Sequence, residues 1–306
     1  MNQPMTKAHW TGVIPAITTP FNSDYLIDEA FFRKHITMLM DAGCTGIVAP
    51  GSLGEGSTLS FDERKRLWTL LRETVGTRGT VIAAIAAAST AEAVAAARAA
   101  HACGCDGLMI LPAYVYKGSW RETRAHFAAM LNATPLSCML YNNPVAYGTD
   151  VLPEQIAELA RDHANLHAVK ESSTDVRRLT GIRACCGDRL ALLVGVDDLI
   201  VEGIAAGATG WIAGLVNALP VESVRLFDLA RAGKHAEAEA LYHWFLPLLR
   251  MDTTYDFVQL IKMVQAEAGV TGSGGALTRP PRLLPVGGDL DSIRTTIRKS
   301  LATRPG

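Results

Sequence analysis

The chain has 306 residues, 49% hydrophobic and 19% charged, and 29 Lys+Arg against 30 Asp+Glu leave a formal net charge of −1. That balance offers no basic stripe to neutralise phosphates, and no apolar run reaches the roughly 18 residues of a membrane span, so neither nucleic acid nor a membrane is an expected partner. The opening residues, Met1 to Lys7, lead into no apolar stretch with a cleavage site, which reads as a cytoplasmic protein.

In chain order, continuous apolar runs at residues 12–18, 46–50, 81–85, 107–111, 136–142, 167–170, 191–195 and Gly210–Ala213 suit strands buried on both faces. Gly43, Gly104 and Gly207 each follow a helix end rich in small residues and precede one of these runs, where glycine takes a left-handed cap that other residues resist. Ser60 with Glu63, Ser89 with Glu92 and Ser119 with Glu122 are Ser-x-x-Glu helix openings, and Pro153-Glu154 suits another first turn. After residue 215, helical patterns follow at 223–232, 234–251, 255–269 and 290–301, with a Gly/Pro-rich segment from Gly272 to Pro285 before the last. Eight strands alternating with helices predict an α/β fold, a (β/α)8 TIM barrel over residues 1–218. Residues 219–306 then carry the last barrel helix and a C-terminal helical extension, packed on the barrel or a partner subunit. A doubly wound sheet is the alternative. The six cysteines lie mostly inside apolar runs as reduced thiols, and neither Cys185-Cys186 nor Cys103-Gly104-Cys105 has zinc-site spacing.

In a parallel barrel the loops at the C-terminal strand ends form the functional face. Lys170 ends the sixth run, and burial there would disfavour its ammonium form and free an amine to attack a carbonyl; a loop lysine paired with Glu171 is the other reading. Tyr141 ends the fifth run, where a phenol either relays protons or is a satisfied core tyrosine. The loop Gly51-Ser52-Leu53-Gly54-Glu55-Gly56 lets backbone amides approach a carboxylate, or simply turns from strand to helix. It has no P-loop lysine and misses the dinucleotide spacing, so no nucleotide cofactor is expected.

Taken in order, Gly-Ser-x-Gly-Glu, Tyr141-Asn142-Asn143-Pro144 and Lys170-Glu171 resemble the dihydrodipicolinate synthase / N-acetylneuraminate lyase superfamily of class I Schiff-base lyases. The likeness extends to the opening Gly12 to Phe21, to Gly195-Val196-Asp197-Asp198 and to Gly207 through Ile212. It implies that Lys170 forms a Schiff base with pyruvate or a pyruvate-like 2-oxo acid, with no metal and no other cofactor. It further implies that Tyr141 shuttles protons, that Ser52 links this phenol to Tyr114, and that Tyr114 reaches across a dimer interface. Ser52 and Leu53 amides would hold the substrate carboxylate, and Gly195 and Ile212 would line the substrate. The shared site implies a homo-oligomer of at least two subunits, and the resemblance further implies a dimer of dimers. Ala146 stands where dihydrodipicolinate synthases usually place an arginine for aspartate semialdehyde. A lost bidentate guanidinium contact is worth roughly 1.5–3 kcal/mol, so a different second substrate is expected: a 2-oxo-3-deoxy sugar acid, a 4-hydroxy-2-oxo acid or 4-hydroxypyrroline-2-carboxylate. Val145, Ala146 and Tyr147 make that side of the pocket more apolar. Phe61, Arg64 and Ala113, at positions resembling a lysine feedback site, predict no lysine inhibition. Two alternatives stand beside this reading, the 4-hydroxy-tetrahydrodipicolinate synthase reaction itself and a non-catalytic barrel that binds a 2-oxo acid and regulates a partner.

Overall fold

Runs too apolar to face water on either side form the inner cylinder. The computed structural model describes residues 4–305, so Met1, Asn2 and Gln3 of the N-terminal reading lie outside the described residues. The strands are β1 Gly12–Pro15, β2 Gly46–Ala49, β3 Thr80–Ile85, β4 Gly107–Ile110, β5 Ser137–Asn142, β6 Leu166–Glu171, β7 Ala191–Val194 and β8 Gly210–Ala213. They pair in parallel in the order β1-β8-β7-β6-β5-β4-β3-β2. The remaining gap is bridged between Ala16 and Val48, where the Ile17 amide donates to the Val48 carbonyl at 3.0 Å. This near closure makes a (β/α)8 barrel and removes the doubly wound alternative, whose sheet would keep two open edges.

The first strand is shorter than its apolar run. Beyond Ala16 the chain leaves the ladder because Thr18 finds other partners: its amide donates to Asn217 Oδ1 at 3.2 Å and its hydroxyl to Gln265 Oε1 at 3.0 Å.

Helices cover the outer face: α1 Glu29–Asp41, α2 Phe61–Val75, α3 Thr90–Ala102, α4 Trp120–Asn132, α5 Pro144–Tyr147, α6 Pro153–Asp162, α7 Arg177–Cys186, α8 Ile200–Ala205 and α9 Pro220–Arg231. The three Ser-x-x-Glu signals resolve differently. At Ser60 both reciprocal bonds form, from the Glu63 amide to Ser60 Oγ at 3.2 Å and from the Ser60 amide to Glu63 Oε2 at 2.8 Å. Ser89 accepts from the Glu92 amide at 3.2 Å. At Ser119 the Glu122 carboxylate takes both the amide and the hydroxyl at 2.8 Å, so the serine donates where the pattern has it accept.

The extension consists of α10 His235–Leu249, α11 Phe257–Glu267 and α12 Gly287–Ala302. Inside the barrel, Ile14, Val48, Met109, Met139 and Leu193 form an apolar axis. Trp10 plugs the end where the strands begin, its indole N–H donating to Ser137 Oγ at 2.8 Å. Val258 and Ile261 of α11 join the same cluster, which brings the extension to the barrel interior. Cys44, Cys105 and Cys138 are buried, and burial pushes the thiols of Cys44 and Cys138 up to about 12. Cys185, in contrast, is exposed at the end of α7. Among the described residues no helix is long and apolar enough to cross a membrane.

Candidate active site

Parallel pairing sets Tyr141 of β5 directly beside Lys170 of β6. Alternation along each strand points both side chains inward at the C-terminal end. Lys170 is 6% exposed, and its Nζ lies 3.9 Å from the centroid of the Tyr141 ring. Among the described residues it has no ion-pair partner, including the neighbouring Glu171. Glu171 faces the other side of the sheet, where its carboxylate accepts from the Ser173 amide at 2.7 Å and from Asn142 Nδ2 at 3.1 Å. The salt-bridged loop lysine is therefore set aside, and the strand presents a buried amine over a phenol.

Room for that amine depends on Gly195. A Cβ there would sit 2.1 Å from Ser172 Oγ and 2.3 Å from Lys170 Cε, closer than any side chain tolerates. Ser172 continues the β6 line, with its amide donating to the Asn142 carbonyl at 2.9 Å. Two residues beyond Lys170, it shares the same inward face. Its hydroxyl is buried and has no hydrogen-bond partner in the described structure. Buried hydroxyls normally find one, so an unmatched hydroxyl beside the amine marks a place for a ligand. Sequence patterning missed it, although its i+2 position from Lys170 was a usable signal.

The hydroxyl cluster is larger than the sequence reading has it. Ser52 Oγ hydrogen-bonds the Tyr147 hydroxyl, a phenol first read only as part of an apolar wall. The Tyr147 ring stands edge-on to Tyr141, centroids 5.7 Å apart at 85°, and tilts against Tyr114 at 5.6 Å. Tyr114 therefore lies against Tyr147, beside the same hydroxyl cluster. Burial pushes the phenols of Tyr114 and Tyr147 above their ordinary range, and the neighbouring phenols push Tyr147 further. Leu53 and Ile212 are buried in the same apolar cluster as Tyr141, and Gly195 abuts Lys170. Ala146 is exposed on α5 and lies outside that cluster.

The glycine-rich loop is held from below by charge. Glu55, fully buried and in the left-handed region at φ 57°, accepts from Lys262 Nζ of α11 at 2.6 Å and from the Arg279 amide at 2.9 Å. Desolvation lowers the Lys262 ammonium pKa, opposed by the Glu55 charge. The amides of Glu55 and Gly56 turn back onto the carbonyls of Ser52 and Gly51 at 3.1 and 3.0 Å. Those of Ser52 and Leu53 have no acceptor among the described residues. The anchored loop thus leaves two backbone donors free, as glycine-rich turns can.

A second charged pair lies on the β7–β8 side. Asp197 accepts from Trp211 Nε1 at 2.9 Å, from the Gly214 amide at 3.0 Å and from the Leu215 amide at 2.6 Å. Burial pushes the Asp197 and Asp252 carboxyls up, each also feeling Lys170, and Asp252 is raised further by Asp197. The three donors on Asp197 oppose that rise, so its carboxyl stays lower than that of Asp252. Neither shift was legible in the sequence. Among the described residues no cluster of three or more His, Cys, Asp or Glu side chains is placed to hold a metal.

The profile of the dihydrodipicolinate synthetase family matches residues 9–297. The chain belongs to that family. It is accordingly a lyase of the lysine Schiff-base class. The chain is 33% identical to the 4-hydroxy-tetrahydrodipicolinate synthase of Geotalea daltonii over 270 residues, 88% of this chain and 91% of that one. It is 32% identical to the enzyme of the same name from Pelobacter propionicus, covering 94% and 96% of the two chains. Among solved structures, the 4-hydroxy-tetrahydrodipicolinate synthase of Methylacidiphilum fumariolicum superposes with a TM-score of 0.90 at 27% identity, covering 95% of this chain and 97% of that one. The YagE prophage protein of E. coli K12, solved with pyruvate, gives 0.89 at 25% identity, covering 95% and 99%.

Proposed function

We propose that Lys170 is the Schiff-base lysine and that the chain cleaves a pyruvate-like 2-oxo acid whose leaving part carries a hydroxyl. The observation that carries this reading is the buried Lys170 amine, without a carboxylate partner, 3.9 Å from the Tyr141 ring. Its neutral form attacks the C2 carbonyl, and loss of water leaves a protonated imine. Breaking the C3–C4 bond then sends its electron pair into the imine to give an enamine, while the C4 hydroxyl gives up its proton and departs as a carbonyl. Tyr141 returns a proton to C3. Water finally releases pyruvate and the free amine.

The unpartnered Ser172 hydroxyl supports a hydroxyl-bearing substrate. The cradle of Ser52 and Leu53 amides suits the carboxylate next to C2, with Leu53, Gly195 and Ile212 as its apolar walls. Candidate substrates for this cleavage are a 2-oxo-3-deoxy sugar acid and a 4-hydroxy-2-oxo acid; a third candidate, 4-hydroxypyrroline-2-carboxylate, would instead lose its C4 hydroxyl as water, after which hydrolysis frees ammonia and 2-oxoglutarate semialdehyde. The same reading takes the protein as a cytoplasmic homo-oligomer, a dimer of dimers, meeting through Val115 and Tyr116 beside Tyr114, which are 98% and 57% exposed.

A second reading is the synthase reaction with aspartate semialdehyde. The names of the relatives favour it, and so does Arg282, whose charge reaches the Tyr114 phenol and could replace the guanidinium absent at Ala146. The test is incubation with pyruvate, reduction with borohydride and mass analysis of the Lys170 peptide, followed by a panel of the three substrate classes assayed for release of pyruvate, ammonia or 2-oxoglutarate semialdehyde. An adduct with cleavage of one class is expected. Faster condensation of pyruvate with aspartate semialdehyde selects the second reading. No adduct with any 2-oxo acid leaves only a binding barrel.

A further inference from the structure

The loop after β5 contains a second phenol that the proposed chemistry has not used. Six residues beyond Tyr141, the single turn α5 folds the chain back so that Tyr147 returns to the barrel mouth. Asn143 sets that return: its Oδ1 accepts from the Ala146 amide at 2.9 Å, capping the turn, and its Nδ2 donates to the Tyr141 hydroxyl at 2.9 Å. Gly148 closes the turn at φ 69°, in the left-handed region. One side chain thus fixes the positions of both phenols relative to each other.

The hydroxyl accounting then runs in one direction. A phenol offers one donor and can also accept. The Tyr141 oxygen already accepts from Asn143, which leaves its own proton to point elsewhere. Tyr147, whose ring meets that of Tyr141 edge-on with centroids 5.7 Å apart, is the neighbouring phenol placed to take that proton. Tyr147 in turn is hydrogen-bonded to Ser52, a half-buried residue on the edge of the glycine-rich loop.

We infer that Tyr147 is a relay residue between Tyr141 and Ser52. The inference rests on the Lys170 reading above. When Tyr141 takes the proton released from C3 of the imine, the Tyr141 proton passes to Tyr147, the Tyr147 proton to Ser52, and the Ser52 proton to water. The electron pair left at C3 goes into the enamine. Reprotonation runs the same path backwards. Burial holds the Tyr147 phenol neutral, so the path works by exchange of protons along the row and stores no phenolate on it.

The test uses the full-length protein with pyruvate in D2O. Exchange of the C3 protons is followed by NMR from pH 6 to 9, and imine formation is followed separately by borohydride trapping at Lys170. Tyr147→Phe keeps the ring and removes only the hydroxyl. It is expected to trap as much adduct as the parent while exchange slows about a hundredfold, the ordinary worth of a positioned proton-transfer group. Hydroxide would then be the remaining route for the Tyr141 proton, so exchange in the variant should rise about tenfold per pH unit where the parent is flat. A packing role would not tilt the pH profile. Exchange within about twofold of the parent, with the same profile, overturns the inference. If Tyr147→Phe does not fold, Ser52→Ala cuts the same path from the other end, and unimpaired exchange there overturns it equally. A parent protein that traps no 2-oxo acid sinks the Lys170 reading itself, and the relay with it.

Discussion

Gly195→Ala separates the needs of the fold from those of the chemistry. The added Cβ would lie 2.3 Å from Lys170 Cε and 2.1 Å from Ser172 Oγ, where ordinary contact begins at 3.4 Å. Ser172 has no bond to lose and can rotate away. Lys170 is displaced by about 1 Å, and a misplacement of that size at a reacting atom costs about a hundredfold in rate. For the fold, the clashing atoms are Ser172 Oγ and, on Lys170, Cε and Cγ at 2.8 Å, all side-chain atoms able to shift, so the cost stays near the lower end of the about 1–3 kcal/mol of overpacking. That corresponds to roughly 2–4 °C in melting temperature. The assay pairs borohydride trapping of pyruvate with a thermal melt. Expected is a melt lowered by only roughly 2–4 °C, with trapping slowed about a hundredfold. Adding Ser172→Ala relieves one clash and should recover only part of the rate, because the contact with Lys170 Cε remains. Wild-type trapping in Gly195→Ala would refute the assignment of Lys170 to that crevice.

Two further outcomes concern stability. Lys262→Met removes the cation that bonds Glu55 at 2.6 Å and leaves the buried carboxylate with the Arg279 amide and a guanidinium at 3.9 Å. Breaking one side of a buried pair costs about 3 kcal/mol, or about 6–12 °C in the melt, and Glu55→Gln in the same chain should restore part of it; an unshifted melt counts against the clamp. His35 is buried on α1 with Nε2 donating to the Asn217 carbonyl at 2.9 Å, and burial lowers its pKa to about 4. Its folded value lies below the unfolded one near 6.5, so its share of stability is full above about pH 6.5 and is lost as pH falls toward 4. Denaturant midpoints of the parent and of His35→Gln, which keeps the donor, should diverge across that window; parallel curves would show that His35 does not titrate in this way.

The strands were legible because a barrel strand is apolar on both sides, and burial leaves that mark in sequence without any tertiary knowledge. Lys170 and Tyr141 were legible for a related reason, as polar residues ending such runs. What escaped depends on folding back through space. Tyr147 carries the same letter whether it packs or relays, and only the single turn after Asn143 turns it toward Tyr141. The Lys262 partnership of Glu55 spans 207 positions. Asp252 reaches the barrel from a segment whose local pattern reads simply as the end of a helix. The inverted bond at Ser119 shows the same limit at short range, since a spacing rule names the partners and leaves open which oxygen accepts.

Biosynthesis runs from the N-terminus, so Ser52, Tyr141 and Lys170 leave the ribosome well before the Lys262 and Arg279 groups that fasten Glu55. Until those last helices arrive, the carboxylate cradle has no anchor. A nascent chain therefore lacks a fixed turn at Ser52 and Leu53 until the segments carrying Lys262 and Arg279 have emerged and folded.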